Sequence, residues 1–302
     1  MPDLFHRASR FLARKTFSFW EKLGLHLTYV HFYEPVPDTR TLDDAVWSRD
    51  SNLPGIHWND DLQVRLLFEF AVENRAAWES LAKRPRAPQP GRFALGNEYF
   101  ESVDAEILYG MIRRFTPRRI YEIGCGHSTL LVREALEENR TQDPFYACEH
   151  LAIDPFPAEF LCNERNGLKL LPKKIQDVPV RLFEKLRKND ILFIDSSHVL
   201  TIGSDVQFEY LEILPRLSPG VLVHCHDIFL PAEYPKDWVF KQHRFWNEQY
   251  LLQAFLAFNS EFEVLWAGNY MHAKHADLLR QHIASYAQTT CYPKSFWMRR
   301  KG

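Results

Sequence analysis

The sequence predicts an α/β fold, in which a mostly parallel sheet is covered by helices on both faces to give three layers. From residue 93 onward, short apolar runs alternate with segments of helical periodicity, a pattern typical of a parallel sheet. A glycine turn follows the first apolar run and leads directly into a helix. At 302 residues the chain is long enough to bury a large core.

Composition narrows the class of protein. Hydrophobic residues make up 46% and charged residues 25%, as in an ordinary globular protein. The formal net charge of −2 gives no basic footprint for a nucleic acid, so we expect no nucleic-acid partner. Five cysteines without a C-x-x-C pair indicate reduced thiols and predict a cytoplasmic protein. No apolar run approaches the roughly 20 residues of a transmembrane segment.

The chain divides into residues 1–92, a helical and irregular extension that ends in a proline-rich linker, and residues 93–302, the α/β domain. The first 20 residues place four basic side chains among aromatic and aliphatic ones. We interpret this segment as a helix that packs on its own domain or on a partner. The weaker alternative is an amphipathic helix that lies on a membrane surface.

Seven strands are predicted in the order Arg119–Ile123, His150–Ile153, Lys173–Gln176, Asp190–Ile194, Val221–His224, Glu263–Ala267 and Phe296–Arg299. The predicted helices are Asp60–Leu81, Asp104–Phe115, Ser128–Asn139, Val180–Lys188, Val206–Leu214, Trp246–Phe258 and Ala276–Tyr286. Right-handed crossovers would place the carboxyl ends of the parallel strands at one edge of the sheet, where ligands bind in such folds.

The turn after the first strand has the pattern E-x-G-x-G, from Glu122 through Gly124 to Gly126. Its glycines allow the backbone to turn tightly and to approach a ligand, and Ser128 can cap the helix that follows. Thr129 stands where a dinucleotide fingerprint has its third glycine, and no P-loop lysine follows. The turn therefore predicts a nucleoside-type cofactor.

Acidic residues follow the next two strands. Asp154 is placed to accept hydrogen bonds from ribose hydroxyls, and Asp177, after Gln176, to bind the amino group of a base. A single loop aspartate is commonly a turn or cap residue, but several at one edge favour a binding site.

The fourth and fifth strands end in a cluster of carboxylates and imidazoles, Asp195 and His198 after one strand and His226 and Asp227 after the other. His198 is the candidate general base, because an imidazole titrates near neutral pH. Asp195, His226 and Asp227 could hold a divalent cation such as Mg²⁺, or the cluster could be a plain hydrogen-bond network. His224 is interpreted as a core histidine.

Several of these segments resemble bacterial class I S-adenosylmethionine (SAM)-dependent methyltransferases of the "methyltransferase domain family twenty-four" type. The likeness runs from about Asn97 to the C-terminus and rests on E-x-G-x-G and on the segments Phe193–His198, Gly203–Val206, Leu222–Pro231 and Trp246–Leu252. A weaker likeness to metal-dependent catechol-type O-methyltransferases involves Asp195, His198 and the pair His226–Asp227. There the base is a lysine and the pair is Asp-Asn.

The resemblance implies a Rossmann-like, seven-stranded sheet whose last strand is antiparallel. It also implies SAM as cofactor, with Asp195 beside the methionine portion and the acceptor. The residues expected to bind the cofactor are Glu122, Gly124, Gly126, His127, Ser128, Asp154, Asp177 and Asp195. The residues expected to act in catalysis are His198, Asp195 and Asp227.

We therefore predict a SAM-dependent methyltransferase that transfers a methyl group to the hydroxyl of a small molecule or glycan. The alternatives are an NAD-type oxidoreductase and a catalytically silent SAM-binding scaffold. The missing third glycine and the clustered aspartates and histidines count against the first of these. The sequence is also compatible with a homo-oligomer.

Overall fold

A computed structural model describes residues 2–49, 51–86, 91–162 and 167–302. The strands are β1 (Arg119–Ile123), β2 (Glu149–Ile153), β3 (Leu168–Leu171), β4 (Ile191–Ile194), β5 (Leu222–Cys225), β6 (Phe262–Ala267) and β7 (Phe296–Arg300). The helices are α1 (Pro2–Lys22), α2 (Ala45–Ser48), α3 (Asp60–Glu73), α4 (Arg75–Lys83), α5 (Asp104–Phe115), α6 (His127–Gln142), α7 (Glu159–Cys162), α8 (Asp205–Phe208), α9 (Lys236–Phe240), α10 (Glu248–Leu256) and α11 (Gly268–His282).

The seven strands form one sheet in the order β3-β2-β1-β4-β5-β7-β6. Strands β1 to β5 pair in parallel, whereas β7 is antiparallel to both β5 and β6. The predicted fold class is therefore confirmed, including the antiparallel last strand.

Backbone hydrogen bonds continue beyond the carboxyl ends of the strands. The N–H of Gly124 donates to the carbonyl of Ile153, that of Asp195 to Ile123, and that of His226 to Ile194, over 2.9 to 3.0 Å. These bonds hold the first residue after each strand beside its neighbour. The residues that follow β1, β4 and β5 consequently meet at one edge of the sheet.

Each face of the sheet has its own apolar core. One core contains Phe70, Ile107, Met111, Leu130 and Trp297, from α3, α5, α6 and the sheet. The other contains buried residues of the opposite face and its cover, among them Tyr121, Phe183, Leu192, Tyr210 and Met298. Because Phe70 of α3 is fully buried in the first core, residues before position 93 help to cover the sheet.

The chain folds into two compact units. One combines the first fifty residues with residues 234–245, and the other contains residues 51–233 and 246–302. The domain boundary predicted at residue 92/93 stays a prediction. In the first unit, the described part of α1 leaves Phe11, Leu12 and Phe19 exposed, and contact of residues 1–20 with a membrane surface also stays a prediction. Among the described residues no helix combines the length and apolar character needed to span a bilayer.

The third predicted strand was wrong. Residues 168–171 pair with β2, and residues 175–177 form a 3₁₀ turn in which the N–H of Asp177 donates to the carbonyl of Lys174. Pro172 has no N–H to donate, and it follows the last residue of the strand. Part of the predicted linker, residues 87–90, lies outside the described residues.

Several predicted helices differ from the observed ones. The segment predicted as Val180–Lys188 is a 3₁₀ helix over Val180–Lys185, and Val206–Leu214 is divided between α8 and a π-helical turn over Glu209–Ile213. The predicted helix Ala276–Tyr286 is α11, which begins at Gly268. The segment from Asp60 is two helices, because Asn74 adopts a non-helical conformation between them.

Candidate active site

The turn after β1 has a shape that only glycine permits. Gly124 has φ +84°, and a Cβ built there would lie 1.9 Å from the carbonyl oxygen of Asp195. Gly126 is different, because its φ of −176° is ordinary extended backbone and a Cβ would meet no atom within 4 Å. Gly124 therefore brings the ends of β1 and β4 together, and Gly126 leaves open space over the turn.

Glu122 lies beneath this turn and does not line the cavities above it. Its side chain is fully buried, accepts a hydrogen bond of 2.9 Å from the hydroxyl of Thr129 and contacts the imidazole of His150. The hydroxyl of Thr129 in turn accepts from the N–H of Gly126 at 3.1 Å. The expectation that Glu122 faces the cofactor is therefore corrected, because side chains alternate along β1 and Glu122 points to the α6 side. It stabilises the turn from below.

Two cavities open above the strand ends, one of about 370 Å³ and one of about 390 Å³. Gly124, Asp154 and Asp195 line both of them. We call the two together the cofactor cleft. The remaining side of the first cavity is lined mainly by residues that follow β2, β3 and β4, namely Pro155, Lys174, Ile175, Gln176, Ser196, Ser197, Ser204 and Asp205.

The second cavity is bounded by the start of α6 and by aromatic rings. His127 and Ser128 line it, and the His127 ring lies 5.6 Å from Tyr99 and 5.4 Å from Phe160 between centroids. The predicted binding residues His127 and Ser128 are thus placed at the cleft. The aromatic residues Tyr99 and Phe160 were not predicted there.

Asp154 closes the cleft at the end of β2. Its two carboxylate oxygens accept from the backbone N–H of Cys125 at 3.1 Å and of Phe156 at 2.7 Å. A carboxylate fixed in this way can still accept from a hydroxyl in the cleft, since each oxygen has a second lone pair. Asp177, in contrast, is not among the cleft-lining residues of the described chain, and Gln176 lines the cleft instead.

The predicted catalytic residues do converge. The Nε2 of His198 lies 3.3 Å from Asp195 and 3.4 Å from Asp227, and its Nδ1 lies 2.8 Å from the carboxylate of Glu248. We call these four residues the histidine cluster. Asp195 belongs to the cluster and also lines the cleft, so it joins the two parts of the site.

Two members of the histidine cluster have unusual backbone conformations. His198 has φ +61° and Asp227 has φ +54°, in the left-handed region that few non-glycine residues adopt. The start of α10 fixes the loop, because the N–H groups of Asn247 and Glu248 donate to the carbonyl of His198 at 3.2 and 3.3 Å. Strained conformations of this kind concentrate at functional sites, where surrounding contacts hold them.

The charges around His198 determine its protonation. Burial by itself lowers the pKa of His198, but the contacts with Asp195 and Glu248 and the charge of Asp227 outweigh burial and raise the pKa well above its usual value. For Asp195, burial is likewise outweighed by His226 and His198, so that its pKa lies well below its usual value. The same contacts favour the imidazolium form of His198 over the neutral form.

His226 and Lys294 complete the surroundings of the aspartates. The Nδ1 of His226 lies 3.4 Å from Asp195, its Nε2 lies 3.6 Å from Asp104, and the Nζ of Lys294 lies 2.7 Å from Asp227. Charges of Asp195 and Asp227 overcome the effect of burial and raise the pKa of His226 to about 9. His224 is the core histidine that was predicted, and its imidazole pairs with the hydroxyl of Ser295 at 2.8 Å.

Part of the histidine cluster has ligand atoms close enough together for a metal site. Asp195, His198 and Asp227 offer ligand atoms that all lie within 4.8 Å of one another, whereas the predicted set contained His226 in place of His198. A hard cation such as Mg²⁺ is usually held by one or two carboxylates, with waters completing its octahedral coordination. Here two carboxylates supply the oxygens, and imidazoles and an ammonium already contact both of them. A hard divalent cation would have to displace these positive groups, and the metal site stays a prediction.

Three important residues were missed from the sequence: Glu248, Lys294 and Asp104. Glu248 lies in the segment Trp246–Leu252, so the family resemblance marks its segment, but nothing in the sequence identifies Glu248 as the partner of His198. The sequence holds no comparable signal for Lys294 or Asp104, because each becomes important through residues distant in the chain.

A protein family and a curated relative each match part of this chain. A family described as "methyltransferase domain" matches residues 121–228. An uncharacterized protein of Archaeoglobus fulgidus is 29% identical over 177 residues, which cover 53% of this chain and 74% of that protein. The bacterial origin suggested by the sequence stays a prediction.

Among solved structures, the chain is similar to the methyltransferase PaMTH1 of Podospora anserina with S-adenosylhomocysteine (SAH) bound (15% identity, 78% of this chain and 88% of that one, TM-score 0.41). It is also similar to the plantazolicin methyltransferase BpumL in complex with a monoazolic desmethylPZN analogue and SAH (12% identity, 80% of this chain and 98% of that one, TM-score 0.42). A third similar structure is the MycE methyltransferase of the mycinamycin biosynthetic pathway in complex with Mg, SAH and mycinamycin VI (14% identity, 63% of this chain and 47% of that one, TM-score 0.32). Residues 121–228 thus match a methyltransferase-domain family, and the seven-stranded sheet built around them is Rossmann-like.

Proposed function

We propose that this protein is a SAM-dependent O-methyltransferase that acts on the hydroxyl of a small molecule or glycan. The observation that carries the proposal is the position of Asp195, which lines the cofactor cleft and contacts the candidate base His198 at 3.3 Å. A methyl donor in the cleft and an acceptor at the histidine cluster would then be neighbours.

The cleft has features that suit SAM. Gly126 leaves space over the turn, Asp154 offers a fixed carboxylate to ribose hydroxyls, and His127 and Ser128 lie at the start of α6. Asp195 supplies negative charge between the two cavities. When bound, SAM supplies an electrophilic methyl group and a positive sulfonium charge.

At the acceptor side, His198 takes the hydroxyl proton at Nε2. Its Nδ1 faces Glu248, so the neutral imidazole keeps its proton on Nδ1 and its lone pair on Nε2, towards the two aspartates. A positive charge beside Asp195 favours the neutral imidazole, since it opposes the carboxylates that raise the pKa of His198. Positioning of the acceptor and removal of its proton are the main demands of methyl transfer.

The first test is cofactor binding by thermal denaturation. We expect SAM and SAH to raise the melting temperature and NAD to leave it unchanged, because ligands stabilise the state that binds them. Stabilisation by NAD alone would contradict the proposal and favour the oxidoreductase alternative.

The second test identifies the acceptor. The protein is incubated with metabolite and glycan fractions and with SAM that carries an isotopically labelled methyl group. We expect label in a methyl ether, stable to mild base, in at least one fraction. Label found only on nitrogen, carbon or sulfur would overturn the O-methyl part of the proposal and leave the cofactor part intact.

A further inference from the structure

Lys294 forms a nearly buried ion pair at the histidine cluster. Its Nζ lies 2.7 Å from Oδ1 of Asp227, and the two side chains are only 11% and 10% exposed. Water screens the attraction between the two charges of an exposed ion pair, but it screens this nearly buried pair much less. The described chain thus places an ammonium group directly on one of the two carboxylates that a metal would need.

The backbone around Lys294 fixes this contact. The N–H groups of Lys294 and Ser295 donate to the buried carboxylate of Asp104 at 3.0 to 3.1 Å. The carbonyl of Lys294 accepts from the N–H of Ile228, the residue after Asp227, at 2.9 Å. Lys294 is therefore tied both to α5 and to the loop that carries Asp227. These backbone contacts hold the main chain of Lys294 in place beside Asp227.

We propose that Lys294 is the resident cation of the histidine cluster: its ammonium group neutralises the Asp227 carboxylate through Oδ1, in place of a divalent metal, and positions Asp227 beside His198. Lys294 is a positioning residue, since it acts through Asp227. The role in methyl transfer rests on the proposed function, whereas the exclusion of a divalent cation is a property of the cluster itself.

Binding of Mn²⁺, followed by electron paramagnetic resonance of the metal-stripped full chain, tests this inference. We expect the native protein and Lys294→Arg to show no saturable binding below about 1 mM, the weak limit of protein oxygen sites. Lys294→Met frees Asp227, and we expect it to bind Mn²⁺ at least about tenfold more tightly. Lys301→Met, which removes an exposed lysine just after β7, serves as the matched control and should behave as the native protein.

Saturable micromolar binding of Mn²⁺ by the native protein would overturn the inference, and so would a Lys294→Met variant that folds and binds no better than the native protein. Should Lys294→Met not fold, Lys294→Gln replaces it and the same outcomes apply. Calorimetric titration with SAH, with and without EDTA, keeps the two proposals apart. Loss of SAH binding in all samples counts against the methyltransferase, while SAH binding that needs a divalent cation counts against Lys294.

Discussion

The two halves of the candidate site are built by different means. On the cofactor side, after β1 and β2, the shape comes from the backbone: a left-handed glycine, open space at Gly126 and a carboxylate held by two N–H groups. On the acceptor side, after β4 and β5, it comes from side chains, because charged groups of His198, Asp227 and Glu248 are almost completely buried.

This difference shows how each half is vulnerable. A backbone-built cleft fails when an added atom fills it, so that single glycine positions control it. A cluster of buried charges fails when one partner is removed, because the remaining charges lose their compensation. Substitutions in the two halves should therefore separate cofactor binding from chemistry.

The largest effect is expected from His198→Ala. Loss of a general base lowers turnover by at least about 100-fold. Binding of SAH should change by no more than about twofold, since the cleft lies on the other side of Asp195. Turnover is measured as transfer of labelled methyl to the acceptor found in the screen, and SAH affinity by calorimetry.

The control for this variant is His243→Ala, which removes an exposed histidine. An unchanged rate in His198→Ala would exclude His198 from the mechanism, and a lost SAH affinity would show that the two halves are not separable.

Gly124→Ala should break the cofactor half. The added Cβ would collide with the carbonyl of Asp195 at 1.9 Å, and φ +84° disfavours any side chain. We expect a loss of about 2 kcal/mol or more of folding free energy, together with SAH binding too weak to measure. Gly126→Ala is the matched comparison: it should fold normally, because no atom lies within 4 Å of its Cβ, but bind SAH more weakly. Equal stability of the two variants would contradict the assigned shape of the turn.

Glu248→Gln tests how the acceptor side of the site sets the pKa of His198. Glu248 is one of the groups that raise the pKa of His198, so its neutralisation lowers that pKa. Because neutral imidazole is the active form, the rate rises with pH through this pKa. The acid limb of the pH–rate profile should therefore move to lower pH in the variant. We also expect the maximal rate to fall about tenfold, since a weaker base accepts the proton less readily. A limb that stays in place would mean that another group controls it.

The smallest effect on the reaction rate is expected at Glu106, which lies outside both halves of the site and affects stability. Burial raises the pKa of Glu106 to about 7, although hydrogen bonds from Ser285 and from the N–H of Val103 act against burial. The folded protein thus holds a proton that the unfolded chain releases above about pH 4.5, so stability falls as pH rises from there to about 7. Glu106→Gln keeps both partners and should remove this decline, which amounts to as much as about 3 kcal/mol.

Melting temperatures of the two proteins between pH 4.5 and 8 provide the check. Parallel curves would show that Glu106 does not carry the pH dependence. The same melting temperatures show how much of a pH-dependent change in rate results from a change in folding stability. The pH–rate profile of Glu248→Gln is interpreted with that contribution removed.

Local patterns were sufficient to predict much of the fold and half of the site. Gly124 and Gly126 follow a buried strand directly, and Asp195 and Asp227 each stand at the end of an apolar run, so that sequence alone placed them at one edge. The seven strands and the antiparallel β7 followed from the family resemblance, whereas the order of the strands within the sheet was not predicted.

What could not be predicted depends on distant residues. Glu248 is 50 positions from His198, and its carboxylate becomes a partner only once α10 packs at the end of β4. Two other features depend on local sequence alone. Side-chain alternation along β1 predicts that Glu122 points into the core, and Pro172 predicts that β3 ends at Leu171.

Residues 234–245 carry a consequence for how the protein is made. Within the smaller compact unit, the indole of Trp47 donates to the carbonyl of Tyr234 at 2.9 Å and packs 5.4 Å from Phe240, and Asp44 pairs with Lys236. These partners leave the ribosome on the order of ten seconds after Trp47, at a synthesis rate of about 5–20 residues per second. The indole of Trp47 therefore lacks these partners until residues 234–245 have been synthesised.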